Sequence, residues 1–159
     1  MTYLFPSPDG QYIDVRAILS DNKRIVGTGG YHMFDKIVLT LKKQMPDIKI
    51  IYLFGSQATG NARADSDIDI AIMATRALDP FERWELSNQL AKEVGHDVDL
   101  IDLLQASTVL KMEIVRNGKL LYDAETAAGE FEMTTLSMYQ HLQKERADII
   151  RSFNQDLKA

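Results

Sequence analysis

Between Ile50 and Met73 the chain has little freedom. An apolar run, Ile50–Phe54, stops at Gly55-Ser56, and a second, Ile68–Met73, starts just after Asp67 and carries Asp69. Short apolar runs bounded by Gly, Asn and Ser read as strands. Gly55 has no side chain, so it permits a tight turn and close approach of backbone to an anion. Ser56 adds a hydroxyl, and the N–H groups after the turn are expected to form an anion-binding nest. Gly60-Asn61 let the loop fold back. Side chains two apart on a strand leave the same face, so Asp67 and Asp69 stand together. Two adjacent carboxylates repel each other, and a divalent cation that prefers hard oxygen ligands, Mg²⁺, offsets that cost.

Such a site calls for a third acid on a neighbouring strand, and Asp97-Val98-Asp99-Leu100-Ile101-Asp102 supplies one. Asp99 lies between Val98 and Leu100, where an unpaired carboxylate is costly to bury, and is therefore the candidate third ligand. Asp97 shares its face at the mouth of the strand. Asp102, an odd step away, points to the other side.

The rest of the chain alternates helix and strand. Met33, Phe34, Ile37, Val38 and Leu41 keep helical spacing until Pro46. Asp79-Pro80-Phe81-Glu82 is a helix start, with Asp as cap, Pro in the first turn and Glu three residues after the cap. Leu86, Leu90 and Val94 give that helix its buried stripe, and Gly95 ends it. Phe81 and Trp84, three apart, are expected to serve packing in the core or at an interface. Val98–Leu103 reads as a third strand, Ser107 caps a helix through Val115, and Leu120–Tyr122 is a short extended piece. Gly129 precedes a long final helix with the stripe Leu136, Tyr139, Leu142, Ile149 or Ile150, Phe153 and Leu157. The fold class is α/β (α+β), a small mixed sheet flanked by helices with a long C-terminal helix. Three regions are expected: an N-terminal extension over residues 1–30, a core over 31–125, and a C-terminal helix over 129–159 suited to partner contact.

Pro and Gly punctuate the extension into two short segments, Tyr12–Leu19 and Lys23–Val26, which could form a hairpin. Met33 is a candidate natural start. Of the 159 residues, 45% are hydrophobic and 26% charged, proportions of a globular chain with one core. Cys is absent, so disulfide scaffolds and thiol catalysis are excluded, and a reducing, cytoplasmic setting is expected. No apolar run nears the ~20 residues of a membrane span, and no signal-peptide pattern opens the chain. His32, His96 and His141 form no zinc pattern. The net charge of −5 disfavours direct nucleic-acid binding and favours a protein or small-molecule acceptor.

Gly55-Ser56, ten residues, then Asp67-x-Asp69, with Asp99 in a Val-Asp-Leu strand, resembles the minimal nucleotidyltransferase family of the DNA polymerase β superfamily. The resemblance runs from about Met33 to the C-terminus. Arg83-Trp84-Glu85-Leu86 and the run Ser137–Arg146 bring it nearest to the antitoxins of HEPN–MNT toxin–antitoxin pairs. It implies a polymerase-β-like fold and an enzyme that moves AMP from ATP onto a tyrosine of a HEPN ribonuclease toxin. Asp67 and Asp69 would then hold two Mg²⁺ ions, one shared with the ATP phosphates. Asp99 would complete the other metal site and help deprotonate the acceptor. Gly55 and Ser56 would hold the β- and γ-phosphates, since no Gly-Lys-Ser/Thr phosphate loop is present, and Arg63 is a possible phosphate or acceptor contact. Two alternatives stand beside this reading: transfer to a small-molecule hydroxyl, as on an aminoglycoside, and a binding-only antitoxin acting by occlusion.

Overall fold

The computed structural model describes residues 4–6, 12–14 and 31–157. In the extension, β1 (Leu4–Pro6) pairs antiparallel with β2 (Tyr12–Asp14). The expected segment Lys23–Val26 and most of Tyr12–Leu19 lie outside the described residues.

From Tyr31 the order is α1 (Tyr31–Gln44), β3 (Ile48–Phe54), α2 (Gly55–Thr59), β4 (Ile68–Ala74), α3 (Pro80–Val94), β5 (Val98–Asp102), α4 (Thr108–Asn117), β6 (Lys119–Asp123) and α5 (Ala127–Asp156). The strands form one mixed sheet in the order β5-β4-β3-β6. β3 is antiparallel to both β4 and β6, whereas β4 and β5 run parallel. Each face of the sheet carries its own core. Ile51, Leu53, Ile68, Ile70, Ile72, Val98 and Leu100 pack with Ile37 and Leu41 of α1 and Leu90 of α3. On the opposite face Ile50, Tyr52 and Ala71 pack with Ile114 and Val115 of α4 and Phe131 of α5. Near-continuous Ile and Leu in β3 and β4 therefore reflect burial on both sides.

Helix starts follow their sequence signals closely. Asp79 accepts from the N–H groups of Phe81 and Glu82, and Glu82 reaches back to the Asp79 N–H, so the capping box is complete. Arg76 grips the same Glu82 with two hydrogen bonds of 2.7 and 2.9 Å. That guanidinium, with the Asp79 N–H, pushes the Glu82 carboxyl down to about 2. α3 then lies along the free edge of β5. Its Arg83 donates to the carbonyl of Leu100 at 3.1 Å and its Ser87 to that of Val98. Two edge carbonyls that could template strand pairing are thereby satisfied.

Two boundaries differ from expectation. α5 begins at Ala127, so Gly129 lies within its first turn instead of preceding it. The carboxylate of Asp123 accepts from the Ala128 N–H at 3.0 Å and does the capping, which side-chain spacing does not announce. The second concerns the far end of α5. Thr135 and Leu136 are buried, but every residue from 143 to 155 is exposed. The apolar stripe of this helix leaves the domain halfway along. Within the buried half, the Tyr52 hydroxyl donates to the buried carboxylate of Glu132, tying α5 to β3.

Candidate active site

Two of the acids expected at the site, Asp69 and Asp99, stand side by side near the C-terminal end of β3. Phe54, the last residue of that strand, pairs with Asp69 across the antiparallel ladder. Asp69 in turn stands beside Asp99 in the parallel ladder, one pairing step from Ile68–Val98. Shared register on adjacent strands puts the two carboxylates on one face, the face covered further along by α4 and α5. Asp67 lies two residues before Asp69, in the chain leading into β4. The N–H of Ile68 donates to the Asp97 carbonyl at 2.8 Å and fixes where that lead-in joins the sheet.

Burial pushes the Asp69 carboxyl above its ordinary value, and the neighbouring charges of Asp99 and Asp67 push it further. Mutual repulsion of this kind shows that the three groups feel one another. Asp99 itself is exposed, which corrects the expectation that it sits within apolar surroundings. β5 is an edge strand near the end of the sheet, and only its Val98, Leu100 and Asp102 side is covered. The buried acid of this strand is Asp102. Its Oδ2 accepts from Leu78 N–H at 2.8 Å and from Gln105 Nε2 at 3.0 Å, and its Oδ1 accepts from Leu104 N–H at 2.9 Å. It faces away from Asp99, as the odd spacing requires, and organises the turn into α4. The short polar run after it, Gln105 to Ser107, is the only hint of this in the sequence.

Gly55 opens the site with φ +67°, and a Cβ built there would meet Asp69 Oδ2 at 2.1 Å. The segment after it is a short helix, α2, where a nest-like turn was expected. Among the described residues no side chain caps the start of α2, so the N–H groups of its first turn, including that of Ser56, can serve another acceptor. Gly60, at φ +79°, ends α2 by donating to the Ser56 carbonyl. Beyond it Arg63 N–H donates to Ser66 Oγ at 2.7 Å, and Ser66 N–H donates back to the Arg63 carbonyl at 3.1 Å. Arg63 is exposed on this loop and, among the described residues, makes no ion pair.

Among the described residues no group of three or more acids or histidines is drawn together as a preformed metal cage. The donor set nonetheless fits a hard divalent cation of the magnesium type. Such ions are held by one or two carboxylates, with substrate phosphate and water completing the shell. Phe81 and Trp84 are not core residues. Both rings are exposed, 5.9 Å apart between centroids, on α3.

Comparison with known proteins decides the family. The sequence model described as polymerase beta, nucleotidyltransferase matches residues 35–127. A protein adenylyltransferase MntA of Shewanella oneidensis is 47% identical over 116 residues, covering 73% of this chain and 84% of that protein. The chain belongs to the polymerase β nucleotidyltransferase family. Two solved structures extend the likeness of this nucleotidyltransferase. The first is a toxin–antitoxin crystal structure with AMP-PNP, matched at 44% identity with a TM-score of 0.69 over 79% of this chain and 98% of that one. The second is a tri-AMPylated Shewanella oneidensis HEPN toxin in complex with MNT antitoxin, matched at 42% identity with a TM-score of 0.65 over 80% of this chain and 97% of that one.

Proposed function

We propose that this nucleotidyltransferase is the antitoxin of a toxin–antitoxin pair and a protein adenylyltransferase. It moves AMP from ATP onto a tyrosine hydroxyl of its cognate HEPN ribonuclease toxin and so neutralises it. The observation that carries this reading is the 42% identity, over 97% of its length, to a chain bound to a tri-AMPylated HEPN toxin.

In this reading the N–H groups of Gly55 and Ser56 hold the β- and γ-phosphates at the uncapped start of α2. Arg63, exposed on the loop after α2, is assigned to a phosphate or the acceptor. Asp67 and Asp69 would hold two Mg²⁺ ions with help from Asp99. Bound magnesium would lower the pKa of the acceptor hydroxyl and neutralise charge on the triphosphate. Asp99, open to solvent on the rim, accepts the phenolic proton. The phenol oxygen bonds to the α-phosphorus, the bond from that phosphorus to the bridging oxygen breaks, and pyrophosphate leaves. Use of ATP as co-substrate fits a protein that works in the cytoplasm. No helix among the described residues is long and apolar enough to cross a membrane.

The test is to incubate the protein with the product of the neighbouring gene, ATP and Mg²⁺, and weigh that product by mass spectrometry. Additions in units of AMP, absent with an Asp67→Asn/Asp69→Asn variant, are expected. Full inhibition of the toxin by that variant with no added mass would instead mean neutralisation by occlusion.

A further inference from the structure

We infer that the free C-terminal half of α5 is a docking arm that inserts into an apolar groove of the toxin, with an acidic side chain of the toxin facing Arg146. This rests on the function proposed above and concerns how the acceptor is held.

The arm continues a face that the domain has already used. At about 100° per residue, Thr135, Tyr139, Leu142, Arg146, Ile149, Ile150, Phe153 and Leu157 fall within an arc of about 100°. The first part of that face is covered: Thr135 is buried, and Tyr139 is half-buried with the guanidinium of Arg116 5.9 Å from its ring centre. Beyond Leu142 the cover ends, yet the pattern persists. Ile149 is 68% exposed, Ile150 61%, Phe153 63% and Leu157 70%. A helical segment of this length is marginal in water unless its apolar face is packed. The remaining faces are polar, with Lys144, Glu145, Asp148 and Arg151. Only one side of the arm is therefore built for contact.

Two features select the occupant. Arg146 sits in the middle of the apolar stripe and, among the described residues, makes no ion pair. An arginine buried at the centre of a protein contact is costly unless it is paired, and a carboxylate is the side chain that pairs it most strongly. A parallel second copy of the arm would instead set Arg146 against Arg146. Area points the same way. Fifteen helical residues offer a footprint of about 22 Å by 10 Å, well below the ~800 Å² per partner of a stable interface of standard size. A helix-to-helix pair thus buries too little, whereas a groove enclosing the arm on two or three sides buries several times that footprint. The structural match to a chain of a toxin–antitoxin complex covers 79% of this chain, whereas the family model matches residues 35–127.

The test uses the full chain, an Ile149→Glu/Phe153→Glu variant, an Arg146→Glu variant, and Lys144→Glu on the opposite face of the helix as control. Affinity for the toxin is measured by calorimetry, AMP transfer by intact mass, and mass in solution by light scattering. All substituted residues are exposed, and unchanged melting curves will confirm an intact domain. Both stripe variants should bind the toxin at least 30-fold more weakly, with a matching rise in KM for toxin, little change in kcat, and unchanged affinity for AMP-PNP. Lys144→Glu should behave as the unmodified chain. Stripe variants that bind within threefold of the unmodified chain overturn the docking arm while leaving the proposed function standing. So does an unmodified chain that is a dimer alone and becomes monomeric in the variants, which would make the occupant a second copy. An unmodified chain that neither binds nor modifies the toxin removes the proposed function and the docking arm together.

Discussion

Gly55 and Asp69 meet so closely that a single methyl group at position 55 would lie 2.1 Å from the Asp69 Oδ2 atom. The glycine also holds φ +67°, a conformation that costs other residues about 1–2 kcal/mol. Gly55→Ala therefore meets two penalties, one of backbone and one of contact, and the side chain that must give way is a proposed catalytic acid. Thermal melting should show a loss of a few degrees. Because small displacements of reacting groups can cost ~100-fold in rate, AMP transfer should fall by about that factor in single-turnover assays. A variant that loses stability but keeps its rate would disconnect this glycine from the placement of Asp69.

Asp69 also links the site to pH. Burial, then Asp99, then Asp67 raise its carboxyl above the unfolded value of 3.8. The folded protein therefore holds this proton more tightly than the unfolded chain. The stabilisation it brings is complete below pH 3.8 and is lost as pH rises through the higher folded value. At neutral pH without metal the ionised group opposes folding. Asp69→Asn should thus abolish AMP transfer and yet raise the melting temperature in EDTA, by no more than about 2 °C because the group is partly exposed and its repulsion is screened by solvent. Added Mg²⁺ should raise the melting temperature of the unmodified protein more than that of the variant, since only the former offers the full set of carboxylates.

Much of this was legible because local signals and global packing agree. Asp79-Pro80-Phe81-Glu82 named a helix start and built a complete capping box. The expectation that Asp67 and Asp69 share a face rests on strand spacing, but only Asp69 lies in β4, and it is the register of β4 with β5 that sets Asp69 beside Asp99. Burial of particular acids was not legible. Val98 and Leu100 flank Asp99, yet alternation on an edge strand turns it to solvent while Asp102 is buried with three donors. An apolar neighbourhood in sequence is not one in space when the strand is covered on one side. The stripe of α5 is readable through Leu157, but periodicity cannot tell where the domain beneath it ends.

Asp102 offers a test of that distinction between a catalytic and a structural acid. Replacing it with alanine strands the buried N–H of Leu78, just ahead of α3, and the part-buried N–H of Leu104 at the turn into α4. A buried donor left without a partner costs about 1–3 kcal/mol and a part-buried one less, so Asp102→Ala should lower stability by roughly 1–3 kcal/mol in urea titrations. Affinity for AMP-PNP, measured at a temperature where the variant is folded, should hold within a few-fold. A large loss of nucleotide affinity in the folded variant would assign Asp102 to the site after all.

The junction between β6 and α5 stores strain that has no evident part in the chemistry. Glu125 and Thr126 hold φ values of 55° and 65°, the only non-glycine residues with positive φ among those described. Both side chains are exposed, and the turn is pinned by Ala124 N–H to the Lys49 carbonyl at 2.8 Å and Ala128 N–H to Asp123 Oδ1 at 3.0 Å. A β-branched residue suits this conformation poorly. Thr126→Gly should relieve about 1–2 kcal/mol of backbone cost and give back part of it through the greater freedom of the unfolded chain. The expected net gain is ~0.5–1 kcal/mol, or about 1–4 °C in melting temperature. The reverse exchange should help three residues later. An added Cβ at Gly129 meets nothing within 4 Å inside the first turn of α5, and alanine is favoured over glycine in helices by ~0.5–1 kcal/mol. Opposite exchanges at positions 126 and 129 should therefore both stabilise the protein without altering AMP transfer. A fall in melting temperature with Thr126→Gly would mean that the hydroxyl or methyl of that threonine holds the junction more firmly than its backbone strains it.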